Sequence, residues 1–235
     1  MIRKIIPTGN EELDTRLGGG FPYPNIILIE GDHGSGKSAL AQQFLYGALR
    51  VGMRGLAIIS ESRPREYLKS MSEIQLNVDR YYLHGMLNVI SLYLRRFRWR
   101  PEHGRVVLPA IAQYLEAVSR KYDIFLIDSL TQLLTYAPTD IVLNFMSRLR
   151  ILASRDKGFL ITLHPSVVSE ELGAKIRGTC DGYIKVSNTV IGGKIYKVLS
   201  IIKMKGMPPG GESSITFDVD PAMGIKIVPI KAAKA

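Results

Sequence analysis

A chain of 235 residues that is 46% hydrophobic and 22% charged has a globular composition and enough length for one α/β domain with a substantial core. No apolar run approaches the roughly 20 residues that span a bilayer, and the lone Cys180 excludes an internal disulfide and fits a reducing cytosol. The formal charge of +10 exceeds what nucleotide phosphates require; it admits nucleic acid, an anionic membrane surface or an acidic protein as partner without choosing among them.

At the start, Glu11, Glu12 and Asp14 fall where a secretory signal would be apolar, so no targeting segment is expected. Thr8 to Leu17 opens polar and carries Leu13 and Leu17 at helical spacing, which predicts a short helix stopped by Gly18, Gly19 and Gly20. Phe21 to Pro24 reads as an extended connection. Ile26 to Ile29 is a buried-type strand run that ends in Gly31-Asp32-His33-Gly34-Ser35-Gly36-Lys37-Ser38. A helix follows to Val51, with Leu40/Phe44 and Ala41/Leu45/Leu49 on one face, and Gly52 closes it. Leu56 to Ile59 is a second buried strand, ending at Ser60-Glu61-Ser62, and Pro64 to Ser72 reads as a helix with proline at an early position. Tyr81 to Leu94 holds a third strand, and Arg95 to Arg105 is a basic, aromatic stretch broken by Pro101 and Gly104. Ile111 to Val118 belongs to a helix, Tyr122 to Ile127 is a fourth strand, and Asp140 is a plausible N-cap for a helix from Ile141 to Ser154. Phe159 to Leu163 is a fifth strand and Val168 to Ile176 a short helix. Beyond Cys180 the pattern changes: Tyr183 to Val190 and Lys194 to Met204 flank Gly192-Gly193 as a hairpin, and Ile215 to Val219 with Ile225 to Val228 form another. The tail from Lys231 to Ala235 reads as loose. Alternating strands and helices followed by hairpins predict a mostly parallel sheet flanked by helices with C-terminal antiparallel hairpins, in one domain over residues 1–235.

The octet Gly31 to Ser38 fits G-x-x-x-x-G-K-[ST], the phosphate-binding loop. Its glycines permit positive φ and close approach of backbone N–H groups to phosphate oxygens, and the following helix N-terminus favours an anion. Lys37 is placed for the β- and γ-phosphates, and the Ser38 hydroxyl for Mg²⁺. A second acidic group for the metal belongs at the end of an apolar strand, where Ile124 to Ile127 lead into Asp128; a plain polar strand exit is the alternative. Glu61 is the candidate base that positions water, or else a solvated loop glutamate. If it is a base, Ser60 or Ser62 is a candidate phosphoryl acceptor. His164, at the end of the fifth strand, is a candidate γ-phosphate sensor or a structural turn histidine, and His33 is expected to point to solvent. His84 and His103 lack partners at metal spacing, so no zinc site is expected.

The loop, Asp128 and the β-rich end resemble the RecA-like ATPases, and Glu12-Leu13-Asp14 with Leu17 to Gly20 is similar to the start of KaiC-type domains. Such enzymes carry paired glutamates where this chain has Glu61 between two serines, so the resemblance implies ATP with Mg²⁺ and slow or no hydrolysis. Lys203-Met204-Lys205-Gly206 resembles their Lys-x-Arg-Gly segment, which implies that Lys203 and Lys205 reach the nucleotide of a neighbouring ring subunit. Ser60-Glu61, Leu126 to Thr131, Thr162 to Pro165, Cys180 to Gly182 and Ile215 to Pro229 further resemble the ATP-binding proteins of the archaeal swimming motor, the archaellum. That implies a cytoplasmic protein, peripheral at the inner face of the membrane, which forms a homo-oligomeric ring. Its partners would be a FlaI-type motor ATPase, the membrane platform and scaffold proteins. A recombinase-type, DNA-binding ATPase is a rival, but Thr131 to Asp140 has no Lys or Arg and Pro165 to Leu172 carries Glu170 and Glu171, which would repel a phosphate backbone. The basic stretch with Phe97 and Trp99 still allows single-strand stacking. A KaiC-like autokinase switch is the second rival.

Overall fold

The computed structural model describes residues 3–92 and 100–229. In chain order these form β1 (Lys4–Ile6), α1 (Glu11–Leu17), β2 (Phe21–Tyr23), β3 (Ile26–Gly31), α2 (Lys37–Arg50), β4 (Gly55–Ile59), α3 (Pro64–Glu73), α4 (Asp79–Leu83) and β5 (Leu87–Ser91). There follow α5 (Pro101–Gly104), α6 (Val107–Val118), β6 (Ile124–Asp128), α7 (Leu130–Leu134), α8 (Thr139–Ala153), β7 (Gly158–Leu163) and α9 (Glu170–Thr179). The chain closes with β8 (Gly182–Ile191), β9 (Lys194–Met204), β10 (Ser214–Asp220) and β11 (Gly224–Ile227). The sheet has nine strands in the order β11-β10-β9-β8-β3-β7-β6-β4-β5. From β8 to β5 its neighbours are parallel, and from β8 outward to β11 they are antiparallel. This is the mostly parallel sheet with an antiparallel extension that the sequence predicts.

The continuous apolar runs explain why the parallel strands lie inside. Every residue of β3, β4 and β7 is buried, as expected for strands covered on both faces. Alternate side chains feed two cores. Ile27, Ile29, Ala57 and Ile59 meet Phe44, Leu45 and Leu49 of α2 on one face. Ile26, Leu28, Phe125 and Phe159 meet Leu115 of α6 and Phe145 and Leu149 of α8 on the other. Phe125 and Phe159 stack at 5.1 Å between neighbouring strands of the sheet, and Phe21 of β2 stacks on Phe44 of α2 at 4.8 Å. Each such side chain contributes about 1.5–3 kcal/mol through burial.

Several local expectations change. Phe21 to Tyr23 is not a bare connection but pairs with β1 as a second, two-stranded sheet. Tyr81 to Leu94 does hold the third strand, β5, but α4 occupies the start of the stretch, and Tyr93 and Leu94 lie outside the described residues. Asp140 does not cap α8: the flanking residue is Pro138, whose ring already holds a φ of −59°, and Asp140 lies in the first turn, where an acid suits the helix dipole. A short helix, α7, follows Asp128 directly and buries Leu130, Leu133 and Leu134. The basic stretch from Arg95 lies outside the described residues as far as Trp99, as does the tail from Lys231. In the remainder, Arg100 pairs with Glu102 at 3.7 Å.

The parallel strands all end on one edge of the sheet, where a doubly wound fold places its ligand crevice. Gly31, Ser60-Glu61, Asp128 and His164 follow or end four of these strands, so the topology gathers residues up to 133 positions apart.

Candidate nucleotide-binding site

The loop from Gly31 to Ser38 leaves β3 and enters α2. Gly34 and Gly36 have φ of 73° and 92°, the left-handed region that favours glycine. A Cβ on Gly31 would lie 2.4 Å from the Ser35 hydroxyl and 2.5 Å from the Val186 carbonyl, so the cradle is closed to any larger residue. Gly36 caps α2 without a side-chain acceptor, which leaves the first N–H groups of the helix to the loop's concavity. Lys37 is buried beside the loop and donates to the Asp32 carbonyl at 3.3 Å. The Ser35 hydroxyl is fully buried and has no hydrogen-bond partner among the described residues. A closed backbone cradle, an unpaired buried hydroxyl and a lysine at its mouth fit a chain of phosphates.

The neighbouring strands add oxygen donors. Ser38 Oγ donates to Asp128 Oδ1 at 3.0 Å, and Thr162 Oγ1 donates to the same oxygen at 2.6 Å. Desolvation pushes the Asp128 carboxyl above the usual carboxylate range; the Thr162 and Ser38 hydroxyls oppose this, the Glu61 charge adds to it, and Lys37 opposes it. A hydroxyl and a carboxylate side by side are hard oxygen ligands of the type Mg²⁺ takes alongside phosphate. Thr162 is a site residue the motifs do not single out, although it is the one hydroxyl in the otherwise apolar β7.

Glu61 stands next to this group, with Oε1 accepting from the Ser129 hydroxyl at 3.2 Å. Ser60 is buried; its hydroxyl donates to the Ser129 carbonyl at 3.0 Å and accepts from the Ser129 N–H at 3.1 Å. That pair ties the end of β4 to the end of β6, so Ser60 is committed to structure rather than open to a phosphoryl group. Tyr67 of α3 lies buried behind the site; burial and the Asp128 charge hold its phenol well above the ordinary range.

On the rim, His164 Nε2 lies 3.8 Å from Asp32 Oδ1, and its Nδ1 is 2.8 Å from the Ser166 hydroxyl. His33 is exposed, as the sequence predicts, and its ring also meets that of His164 at 4.5 Å between centroids. Beneath the loop, Glu30 is buried against Arg177 at 3.3 Å and the Tyr183 hydroxyl at 2.8 Å, and Arg177 reaches on to Glu170 at 2.7 Å. Lys203 and Lys205 are not part of this assembly within one chain. β9 pairs Met204 with Gly182, which lies opposite Ile27 at the start of β3, about 13 Å of strand from Gly31. There Lys203 donates to the Cys180 carbonyl, and Lys205 lies 3.7 Å from Asp181.

Comparison with known proteins follows the same lines. Residues 6–232 match the family described as "ATPase: KaiC". The chain is 39% identical to the archaeal flagellar ATP-binding protein FlaH of Sulfolobus acidocaldarius, covering 98% of this chain and all of that one. It is 25% identical to the protein of the same description in Methanocaldococcus jannaschii, over 94% of each. Among solved structures it is similar to the flagellar accessory protein FlaH of M. jannaschii, with a TM-score of 0.86 at 24% identity over 97% of this chain and 99% of that one. A KaiC-like protein of Pyrococcus horikoshii aligns with a TM-score of 0.72 at 20% identity, over 97% of this chain and all of that one. At those identities the structural likeness speaks for the fold alone.

Proposed function

This chain belongs to the KaiC-type ATPases and, within them, to the archaeal flagellar ATP-binding proteins, and from that premise we propose that it binds ATP with Mg²⁺ as a conformational ligand that makes assembly of the archaellum motor depend on nucleotide. The observation that carries the reading is the 3.0 Å contact between Ser38, in the first turn of α2, and Asp128 at the end of β6. It brings the hydroxyl and the carboxylate that would hold Mg²⁺, directly or through water, to the mouth of a phosphate cradle. Bound Mg²⁺ would neutralise charge on the β- and γ-phosphates. The backbone N–H groups of Gly34 to Lys37 and the Lys37 ammonium bind the phosphates. Thr162 holds the Asp128 carboxylate in place. His164, on the rim with His33 and Asp32, is the candidate that would sense the terminal phosphate.

Glu61 is the candidate base. It stands alone between two serines and is held by Ser129, so binding is better provided for than turnover, and hydrolysis is slow or absent. Lys203 and Lys205 face away from the chain's own loop and are proposed to serve the nucleotide of a neighbour in a homo-oligomeric ring. The partners are a FlaI-type motor ATPase, the membrane platform and scaffold proteins, with the chain working as one unit on the cytoplasmic face of the membrane. ATP drives docking only through a difference in affinity between two states of the chain.

Neither rival gains a specific observation. Ser60 is buried and doubly hydrogen-bonded, which counts against it as an autokinase acceptor and leaves the half-buried Ser62 as the remaining candidate. The segments after β6 and β7 present buried leucines of α7 and the acids Glu170 and Glu171 rather than cations, which disfavours DNA. The test is capture of partners by the purified chain with and without ATP, beside a turnover assay. Capture that rises with ATP in the intact chain, and is lost with ATP binding in Lys37→Ala, is expected. Unchanged nucleotide affinity in Lys37→Ala, or partner capture indifferent to ATP, overturns the proposal.

A further inference from the structure

At the opposite edge of the sheet from the loop, three cations converge on one carboxylate oxygen. Asp181 Oδ1 lies 3.4 Å from Arg3, 3.3 Å from Arg150 and 3.7 Å from Lys205, while its other oxygen accepts the Ile26 N–H at 3.4 Å. The Asp181 side chain is only 8% exposed, whereas Arg150 and Lys205 are about half open to solvent. None of the three cations has another acid within ion-pair distance. Every Asp and Glu of the sequence lies within the described residues, so no other acidic side chain pairs with them. Arg177, by contrast, is balanced by two carboxylates, Glu30 and Glu170.

Three positive charges against one negative leave an excess of two around Asp181, which with Arg3, Pro24, Arg150, Ala153 and Ser154 lines a cleft of about 340 Å³; Lys205 reaches the same carboxylate from beside the cleft. Both guanidinium groups are held in place by main-chain carbonyls, Arg150 on that of Thr179 at 2.7 Å and Arg3 on that of Lys205. They are therefore pre-organised, and the planar fork of Arg matches tetrahedral oxyanions. We propose that the cleft lined by Arg3 and Arg150, with Lys205 beside it on Asp181, is a binding site for a phosphate-class dianion, distinct from the loop that follows β3. Asp181 acts there as the internal counter-ion, sharing the cations until the dianion takes them. Two sources present this chemistry: free inorganic phosphate, and the phosphates of a nucleotide carried by a second copy of the chain. The second source rests on the ring reading above.

The first measurement is calorimetric titration of inorganic phosphate at fixed ionic strength into the Lys37→Ala chain, in which the loop is disabled. Adding Arg150→Gln or, separately, Lys205→Gln should weaken phosphate binding about tenfold, the equivalent of one charge-assisted hydrogen bond. Lys205 is half exposed, so its variant keeps the test open if loss of the Arg150 contact to Thr179 unsettles the fold. Adding Asp181→Asn should strengthen phosphate binding, which a merely structural role for this carboxylate would not produce. Phosphate affinity equal in all four chains overturns the proposal. The second measurement, on the chain with Lys37 intact, is ATP-dependent self-association. If Lys205→Gln also abolishes it, the anion is the neighbour's nucleotide; if association persists while phosphate affinity falls, the source is free phosphate. ATP binding by the loop is read separately, so failure of the cleft and failure of the loop are distinguishable.

Discussion

Replacing Thr162 by Val tests whether the Asp128 carboxylate is tuned by the hydroxyls around it. The substitution keeps the size of a fully buried side chain and removes only the O–H that donates to Asp128 Oδ1 at 2.6 Å. Two hydroxyls, those of Thr162 and Ser38, oppose the desolvation that raises this carboxyl. A hydrogen bond to a charged group is worth about 1.5–3 kcal/mol. Losing a group that orients a metal ligand lowers metal affinity by about 10–100-fold. The expected result is a rise of that size in the Mg²⁺ concentration that half-saturates ATP binding, with Mg²⁺-free nucleotide binding little changed. Fluorescent ATP titrated at a series of Mg²⁺ concentrations reads this, and Thr162→Ser should recover most of the loss. The pH dependence has a definite sign. Because the folded carboxyl is raised, the ion-stabilising hydroxyl matters fully above that raised value and fades as pH falls through it, where Asp128 is neutral. The stability gap between the native chain and Thr162→Val should therefore close on acidification. Equal Mg²⁺ dependence in the two chains, or a gap that widens at low pH, refutes the tuning.

Arg177→Ala leaves Glu30, 3% exposed, as a buried charge whose remaining side-chain partner is the Tyr183 hydroxyl, and should cost about 3–5 kcal/mol in a urea melt; a loss below about 1 kcal/mol would refute a buried ion pair. Gly31→Ala forces a methyl to within 2.5 Å of the Val186 carbonyl, so it should destabilise by about 1–3 kcal/mol and weaken ATP binding together, seen by thermal shift with and without nucleotide. Burial pushes the Cys180 thiol up to about 12, so in the native chain it should resist iodoacetamide at pH 8 and become reactive only on denaturation, as mass spectrometry would show.

The parts of the site legible in the sequence are those written contiguously. Gly31 to Ser38 is a single octet, and Asp128 follows four apolar residues of its own strand, so each announces itself without a partner. The remainder depends on pairing between distant strands. Thr162 reaches Asp128 only because β7 lies beside β6, and Glu30 meets Arg177 across 147 residues. A glutamate ending an apolar run was the available hint of that buried pair. Short helices escape for another reason: α4 and α7 have five residues each, too few for a helical period to register. The β1–β2 pair was missed because Pro22 and its neighbours carry no alternating pattern, yet pairing with β1 settles them. Lys203 and Lys205 could be assigned to a neighbour's nucleotide only by likeness. What spacing could not convey is that both lie at the far end of β9, already engaged with Cys180 and Asp181.

The position of β3 between β7 and β8 also sets a timetable for synthesis. The strand that leads into the phosphate cradle gains its first flanking strand only when residues 158–163 emerge, and its second only with residues 182–186. At about 5–20 residues per second, the 155 residues from Gly31 to Val186 take roughly 8–30 s to leave the ribosome. Throughout that interval Ile26 to Ile29 are an unpaired, wholly apolar edge, the kind of segment that invites aggregation. A nascent chain stopped short of β8 would lack the Val186 backbone that backs Gly31. On the proposed reading, in which docking depends on nucleotide, the cradle is completed only near the end of translation, so only chains that have nearly finished folding would reach a partner.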